Sequence, residues 1–147
     1  LLGIDSETML RRSHFYGAVF EGFVASEIVK LQSGAGRRRE LYYFRDQQGL
    51  EVDFLVPLGG ARLALLEAKA SATVLPRMGE PLIRLARSVS KYEVQSFVIY
   101  RRPDGGKGST ALLPGVGAHG VADLSVLLQL LKRKRASSSR EGSAPRG

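Results

Sequence analysis

The sequence predicts a mixed α/β domain in which helices flank one sheet, and the first part of that sheet is an antiparallel three-stranded meander. Three observations carry this expectation. Large apolar residues recur at spacings of three and four between Arg12 and Leu31, the helical period. Three short runs rich in aromatic, β-branched and leucine residues follow within residues 41–70, separated by turn residues. Beyond Pro76 a helical pattern alternates with another β-rich run.

Tyr16, Val19, Phe20, Phe23, Val24, Ile28 and Leu31 mark the first helix, with Ser13 as its expected cap and Ser33-Gly34-Ala35-Gly36 as its stop. Leu41 to Arg45 is a short aromatic strand. Asp46-Gln47-Gln48-Gly49 has turn chemistry, and Leu50 to Pro57 is a second strand in which Val52, Phe54 and Val56 alternate with Glu51, Asp53 and Leu55. Gly59-Gly60 turns the chain into a third strand, Ala61 to Ala70, with Leu63, Leu65, Glu67 and Lys69 on one face. Glu80 to Lys91 fits a helix, Val94 to Arg101 a strand, Thr110 to Leu113 an edge strand, and Asp123 to Lys132 a final helix whose basic end suits the helix dipole.

The 147 residues suit one domain, and 44% apolar with 24% charged residues excludes a fibrous repeat or wholesale disorder. Cysteine is absent and His14 and His119 are the two histidines, so thiolate chemistry and a histidine-rich zinc site are excluded and any metal would be a hard cation held by oxygen. No apolar run approaches the roughly 20 residues that span a bilayer, which points to a cytoplasmic protein without a membrane partner. The formal charge is +8, and the end of the chain holds much of it: Lys132, Arg133, Lys134, Arg135, Arg140 and Arg146 face the single acid Glu141. Residues 1–131 are therefore expected to form the domain and residues 132–147 a disordered basic tail. The start at Leu1, without a methionine, suggests a piece of a longer chain.

The chemistry lies in the hairpin from Leu50 to Ala70. Residues directly opposite in an antiparallel pair share a face, so a register that sets Asp53 against Glu67 also sets Glu51 against Lys69, and it needs an odd-membered loop around Gly60. Two carboxylates so placed, with Cβ atoms roughly 5 Å apart, are suited to sharing a divalent cation. Lys69 would stand beside them, where its ammonium could stabilise a negatively charged reacting group. The alternative is structural, with Lys69 and Arg45 neutralising the acids. In the first helix Gly17, Ala18 and Ala25 flank Glu21 with small side chains, which would let the helix approach the sheet and bring Glu21 to the same site. Glu27 falls within the arc of large residues, and Arg45 is its expected partner in a structural ion pair. Arg37, Arg38, Arg39, Arg101 and Arg102 are candidates for holding a phosphate backbone. Gly105-Gly106-Lys107-Gly108-Ser109 lacks the first glycine and the Ser or Thr of a phosphate loop and is expected to be a turn.

At these residues the sequence resembles the PD-(D/E)xK nuclease superfamily, through Gly17-x-x-x-Glu21, Asp53 and Glu67-Ala68-Lys69. In the order Gly17 to Val24, Tyr43 to Asp46, Gly49 to Phe54 and Glu67 to Lys69, it is similar to the domain that follows an AAA ATPase module in many prokaryotic proteins. The resemblance covers about residues 1–100. It implies a restriction-endonuclease-like mixed sheet and an Mg²⁺ (or Mn²⁺) site that hydrolyses phosphodiesters. Asp53, Glu67, the Ala68 carbonyl and Glu21 would be the ligands, Lys69 the charged catalytic residue, and Glu27, Arg45 and Glu51 would surround them. It also implies DNA as a partner and an N-terminal AAA ATPase domain outside this chain. A non-catalytic interaction module on the same fold is the other expectation.

Overall fold

The computed structural model describes Ser6, Thr8, Met9 and residues 15–133. Three helices and six strands are assigned among these residues. Helix α1 spans Tyr16–Gly34, and strands β1 (Tyr42–Arg45), β2 (Glu51–Gly59) and β3 (Arg62–Lys69) follow it. A single 3₁₀ turn at Pro76–Gly79 leads into α2 (Glu80–Ser88), then come β4 (Glu93–Tyr100), β5 (Ser109–Leu113), β6 (Val116–Gly120) and α3 (Leu124–Arg133). No helix among the described residues is long and apolar enough to cross a membrane.

The strands form one mixed sheet in the order β1-β2-β3-β4-β6-β5. β1, β2 and β3 pair antiparallel in succession, β3 pairs parallel with β4, β4 parallel with β6, and β5 closes the far edge antiparallel to β6. β3 is the central strand, buried at every position from Arg62 to Ala68. Such continuous burial is what a strand covered on both faces requires. On one face α1 and α3 pack Phe20, Val24, Ile28, Leu124 and Leu128 against Phe54, Val56, Ala64 and Leu66. On the other, Leu82 and Leu85 of α2 pack against Val52, Leu63, Leu65 and Val98. Arg62, buried where β3 starts, donates to the Leu131 carbonyl at the end of α3 and ties the helix to the sheet.

β2 and β3 pair as expected, with Phe54 opposite Leu66 and Leu55 opposite Leu65. The odd residue that this register needs is supplied by an irregularity between Pro57 and Gly59, next to a two-residue tip at Gly60-Ala61. Gly59 and Gly60 adopt φ of 95° and 62°, values open to glycine without strain.

A second irregularity lies where the site forms. Tyr42 and Phe44 are two residues apart on β1, but their partners Leu55 and Val52 are three apart on β2, so β2 carries a β-bulge at Asp53-Phe54. The bulge moves the strand's apolar residues from one core to the other: Leu50 and Val52 pack toward α2, whereas Phe54, Val56 and Leu58 pack toward α1 and α3. The alternation of Val52, Phe54 and Val56 is present as burial, but these residues do not share a face.

Several expectations need correction. Strand β6, Val-Gly-Ala-His-Gly, has no counterpart in the sequence reading, because its glycines and lone valine carry no β-rich pattern. It is a strand because β4 and β5 cover both its edges. Its Gly117 lies against Phe97, where an added Cβ would stand 2.8 Å from the ring. In α1 the buried stripe is Phe20, Val24, Ile28 and Gln32, whereas Val19 and Phe23 are each 49% exposed. Glu27 therefore lies at the margin of the buried stripe. α3 ends at Arg133, one residue beyond the expected Lys132 and inside the stretch expected as tail; residues 134–147, Ser13 and His14 lie outside the described residues. The glycine-rich stretch at 105–108 is irregular chain, as expected for a turn, and β5 begins at Ser109.

Candidate functional site

At the end of the β2–β3 pairing the main-chain partners stop at Phe54 and Leu66, while β3 runs on to Lys69 paired with β4. Asp53 fills the gap. Its Oδ2 accepts the backbone N–H of Ala68 at 2.8 Å, so a side chain takes the place of the departing strand. In a strand the N–H and C=O of one residue point to the same edge, so the Ala68 carbonyl also faces this fork. The bulge aims Asp53 here, as bulges beside functional sites commonly do.

Glu67 is buried and Lys69 half-buried. Lys69 Nζ donates to Glu67 Oε1 at 2.6 Å, while Glu67 Oε2 is buried without a hydrogen-bond partner among the described residues. Glu21 projects from α1 into a cleft of about 240 Å³ that it shares with Asp53, Glu51, Arg45 and Tyr43.

The electrostatics define which groups are neighbours. Burial raises the Glu67 pKa, and the charge of Asp53 raises it further, against the pull of Lys69 and of the Asp53 backbone N–H. Burial also raises Asp53, despite the Ala68 N–H and Lys69, and Glu51 adds to the effect. Glu21 is raised by burial and by the charge of Asp53. Burial works against the Lys69 ammonium, but its bond to Glu67 and the charges of Glu67, Asp53 and Glu21 together raise its pKa. Asp53 and Lys69 thus act on both glutamates, with Glu21 on one flank and Glu67 on the other. The local negative charge exceeds what one lysine balances.

Among the described residues no three carboxylate or imidazole groups already surround one point at metal-binding distance. Two oxygens are committed instead, Asp53 Oδ2 to Ala68 and Glu67 Oε1 to Lys69. The chemistry of the donor set nevertheless fits a hard divalent cation. The Oε2 of Glu67, without a hydrogen-bond partner among the described residues, and the raised carboxylates call for positive charge, and the donors, the Ala68 carbonyl included, are all oxygen.

The remaining candidates are dispersed. Glu27 pairs with Lys30 at 2.8 Å and Arg45 with Glu51 at 2.8 Å, so the expected Glu27–Arg45 ion pair does not form. A neighbour one turn along the helix is the nearer partner for Glu27. Gly17 faces open space, with nothing within 4 Å of an added Cβ, so it does not serve close helix–sheet approach, whereas Ala25 packs at the margin of the helix–sheet core. Arg39 bonds Ser33 and Arg102 bonds Asp104 at 2.7 Å, whereas Arg101 is half-buried with its Nε unpartnered among the described residues. The contact of Asp53 with the Ala68 N–H and the bulge that allows it were not legible; Gly49 to Phe54 marked the strand but not its irregularity.

A mixed α/β domain with two acids and a lysine converging at a fork in its sheet is the class this architecture defines. The chain belongs to the family described as "Domain of unknown function (DUF4143)", which matches residues 16–107. It is similar to the uncharacterized protein Rv2008c of Mycobacterium tuberculosis and to the uncharacterized protein Mb2031c of Mycobacterium bovis, 42% identical to each over 60 residues. Those residues are 41% of this chain and 13% of either relative's length.

Proposed function

We propose that the domain is a restriction-endonuclease-like, Mg²⁺-dependent nuclease module of the PD-(D/E)xK type. It would act on DNA in the cytoplasm as part of a longer protein that carries an AAA ATPase. The observation that carries this reading is the buried, unpartnered Glu67 Oε2 beside Asp53 and Lys69. Asp53, Glu67 and the Ala68 carbonyl would hold the cation, with Glu21 on the outer flank; Mn²⁺ suits the same oxygens. When bound, the cation supplies Lewis-acid neutralisation of charge on a phosphodiester. The Lys69 ammonium, held by Glu67 and the neighbouring acids, is placed to orient and stabilise a phosphate group. With Glu67 holding such a cation, the Lys69 ammonium would be available to the phosphate. Asp53 is held in place by the Ala68 N–H.

The ion pairs favour a second reading. Lys69 neutralises Glu67 and Arg45 neutralises Glu51, so the same fold can serve as a non-catalytic interaction module. Thermal melting with added Mg²⁺ or Mn²⁺ separates the two, since a true site stabilises the folded state by mass action. The nuclease reading expects a higher melting temperature and plasmid nicking that Lys69→Ala abolishes. An unchanged melting curve together with no nicking supports the interaction module.

A further inference from the structure

A cleft of about 470 Å³ lies between the C-terminal ends of α1 and α3. Lys30, Arg37, Lys132 and Arg133 rim it, Leu31 and Leu128 floor it, and no acid lines it. Burial and the adjacent Arg37 lower the Lys132 pKa, the mark of cations crowded without a counter-ion. Lys30 has a partner in Glu27, but that pair is largely exposed and so contributes little. An adjoining groove extends the row of charge through Arg37, Arg38 and Lys132, with the acid Glu40 at its side. Lys30 follows Glu21 by nine residues, about 900° of rotation, so the two project from opposite sides of α1.

We infer that this α1–α3 cleft binds the phosphate backbone of a nucleic acid, at a place separate from the carboxylate site. The inference rests on the nucleic-acid reading above and deepens it, because it keeps Arg37 and Arg38, joins Lys30, Lys132 and Arg133 to them, and leaves out Arg39, Arg101 and Arg102. A row of cations along two joined grooves matches a polymer whose anionic groups repeat along its length, and the guanidinium fork fits phosphate oxygens. The apolar floor accommodates sugar faces, and the cations on its rim face the phosphates, contacts that position a strand without reading its sequence.

The test is fluorescence anisotropy of a labelled DNA strand across a salt series, with the full chain and the variants R37Q/K132Q and K30Q/R133Q. Each double variant is expected to weaken binding about tenfold at low salt and to reduce the slope of log affinity against log salt by about 1.5–2. Slopes equal to that of the unaltered chain overturn the inference. It is equally overturned if the variants lose binding to polyglutamate or to phosphatidylserine vesicles while DNA binding is unchanged, which would assign the cleft to an acidic protein or a membrane. Melting curves with and without Mg²⁺ are recorded on the same samples. A missing Mg²⁺ shift in the unaltered chain counts against the carboxylate site, whereas an unchanged salt slope counts against the cleft, so the two failures are distinguishable.

Discussion

Asp53 Oδ2 accepts the backbone N–H of Ala68 at 2.8 Å, where a main-chain carbonyl would stand if β2 and β3 were still paired. This bond makes Asp53 both a piece of the sheet and a member of the acidic cluster, and the two roles respond differently to substitution.

Asp53→Asn keeps an oxygen to accept from Ala68 and removes a charge that burial and Glu51 disfavour. Without divalent cation its melting temperature should rise by about 2–4 °C, the equivalent of about 1 kcal/mol in a domain of this size. The Mg²⁺-dependent rise should disappear. Asp53→Ala strands the Ala68 N–H and should melt lower than the unaltered chain by a similar amount. Differential scanning calorimetry of the three proteins checks both signs.

Glu21, Asp53 and Glu67 all have raised pKa values in the folded state, burial being the leading cause for each. The native chain therefore binds these protons more tightly than the unfolded chain. Their contribution to stability falls as pH rises from the ordinary carboxylate range through the raised values, and it returns on acidification. Urea denaturation from pH 7 toward pH 5 without metal should show the unaltered chain gaining stability relative to Glu67→Gln. Saturating Mg²⁺ should reverse that difference, because it favours the ionised acids.

Lys69→Ala removes the side-chain bond from Oε1 of a buried Glu67. The cost should be about 1–2 kcal/mol, moderated because Lys69 is itself a third exposed. Glu67→Gln in the same background should recover most of it. A double-mutant cycle by urea denaturation measures the coupling, and additive effects would show that the ion pair is energetically idle.

Gly117→Ala places a methyl group 2.8 Å from the Phe97 ring and should destabilise the chain by about 1–3 kcal/mol through overpacking. Phe97→Ala should absorb that cost, so the double variant should be no less stable than Phe97→Ala alone. If Gly117→Ala melts like the unaltered chain, β6 does not need the glycine.

Much of this architecture could be read before any coordinates. The spacing of Phe20, Val24 and Ile28 marks α1, and the turn residues at 46–49 and 59–60 delimit β2 and its neighbours within a residue or two. The Phe54–Leu66 register followed from placing Asp53 and Glu67 together. The final helix runs to Arg133, one residue past its expected end at Lys132, because composition describes a charged stretch without revealing how far the preceding apolar helix extends into it. Glu27 was misread because Val19 and Phe23 widened the apparent apolar arc although both remain half exposed.

The sequence by itself determined the three helices, strands β1 to β5 and the mixed α/β class, and it marked the acids and the lysine, because these follow from local periodicity and side-chain type. Only the tertiary structure decided the bulge at Asp53-Phe54, the strand status of β6 and the partners of each charge. These depend on which strands lie alongside and how much water they exclude. No local pattern records that, since the same alternation of buried and exposed residues arises whether or not a bulge has exchanged the two faces.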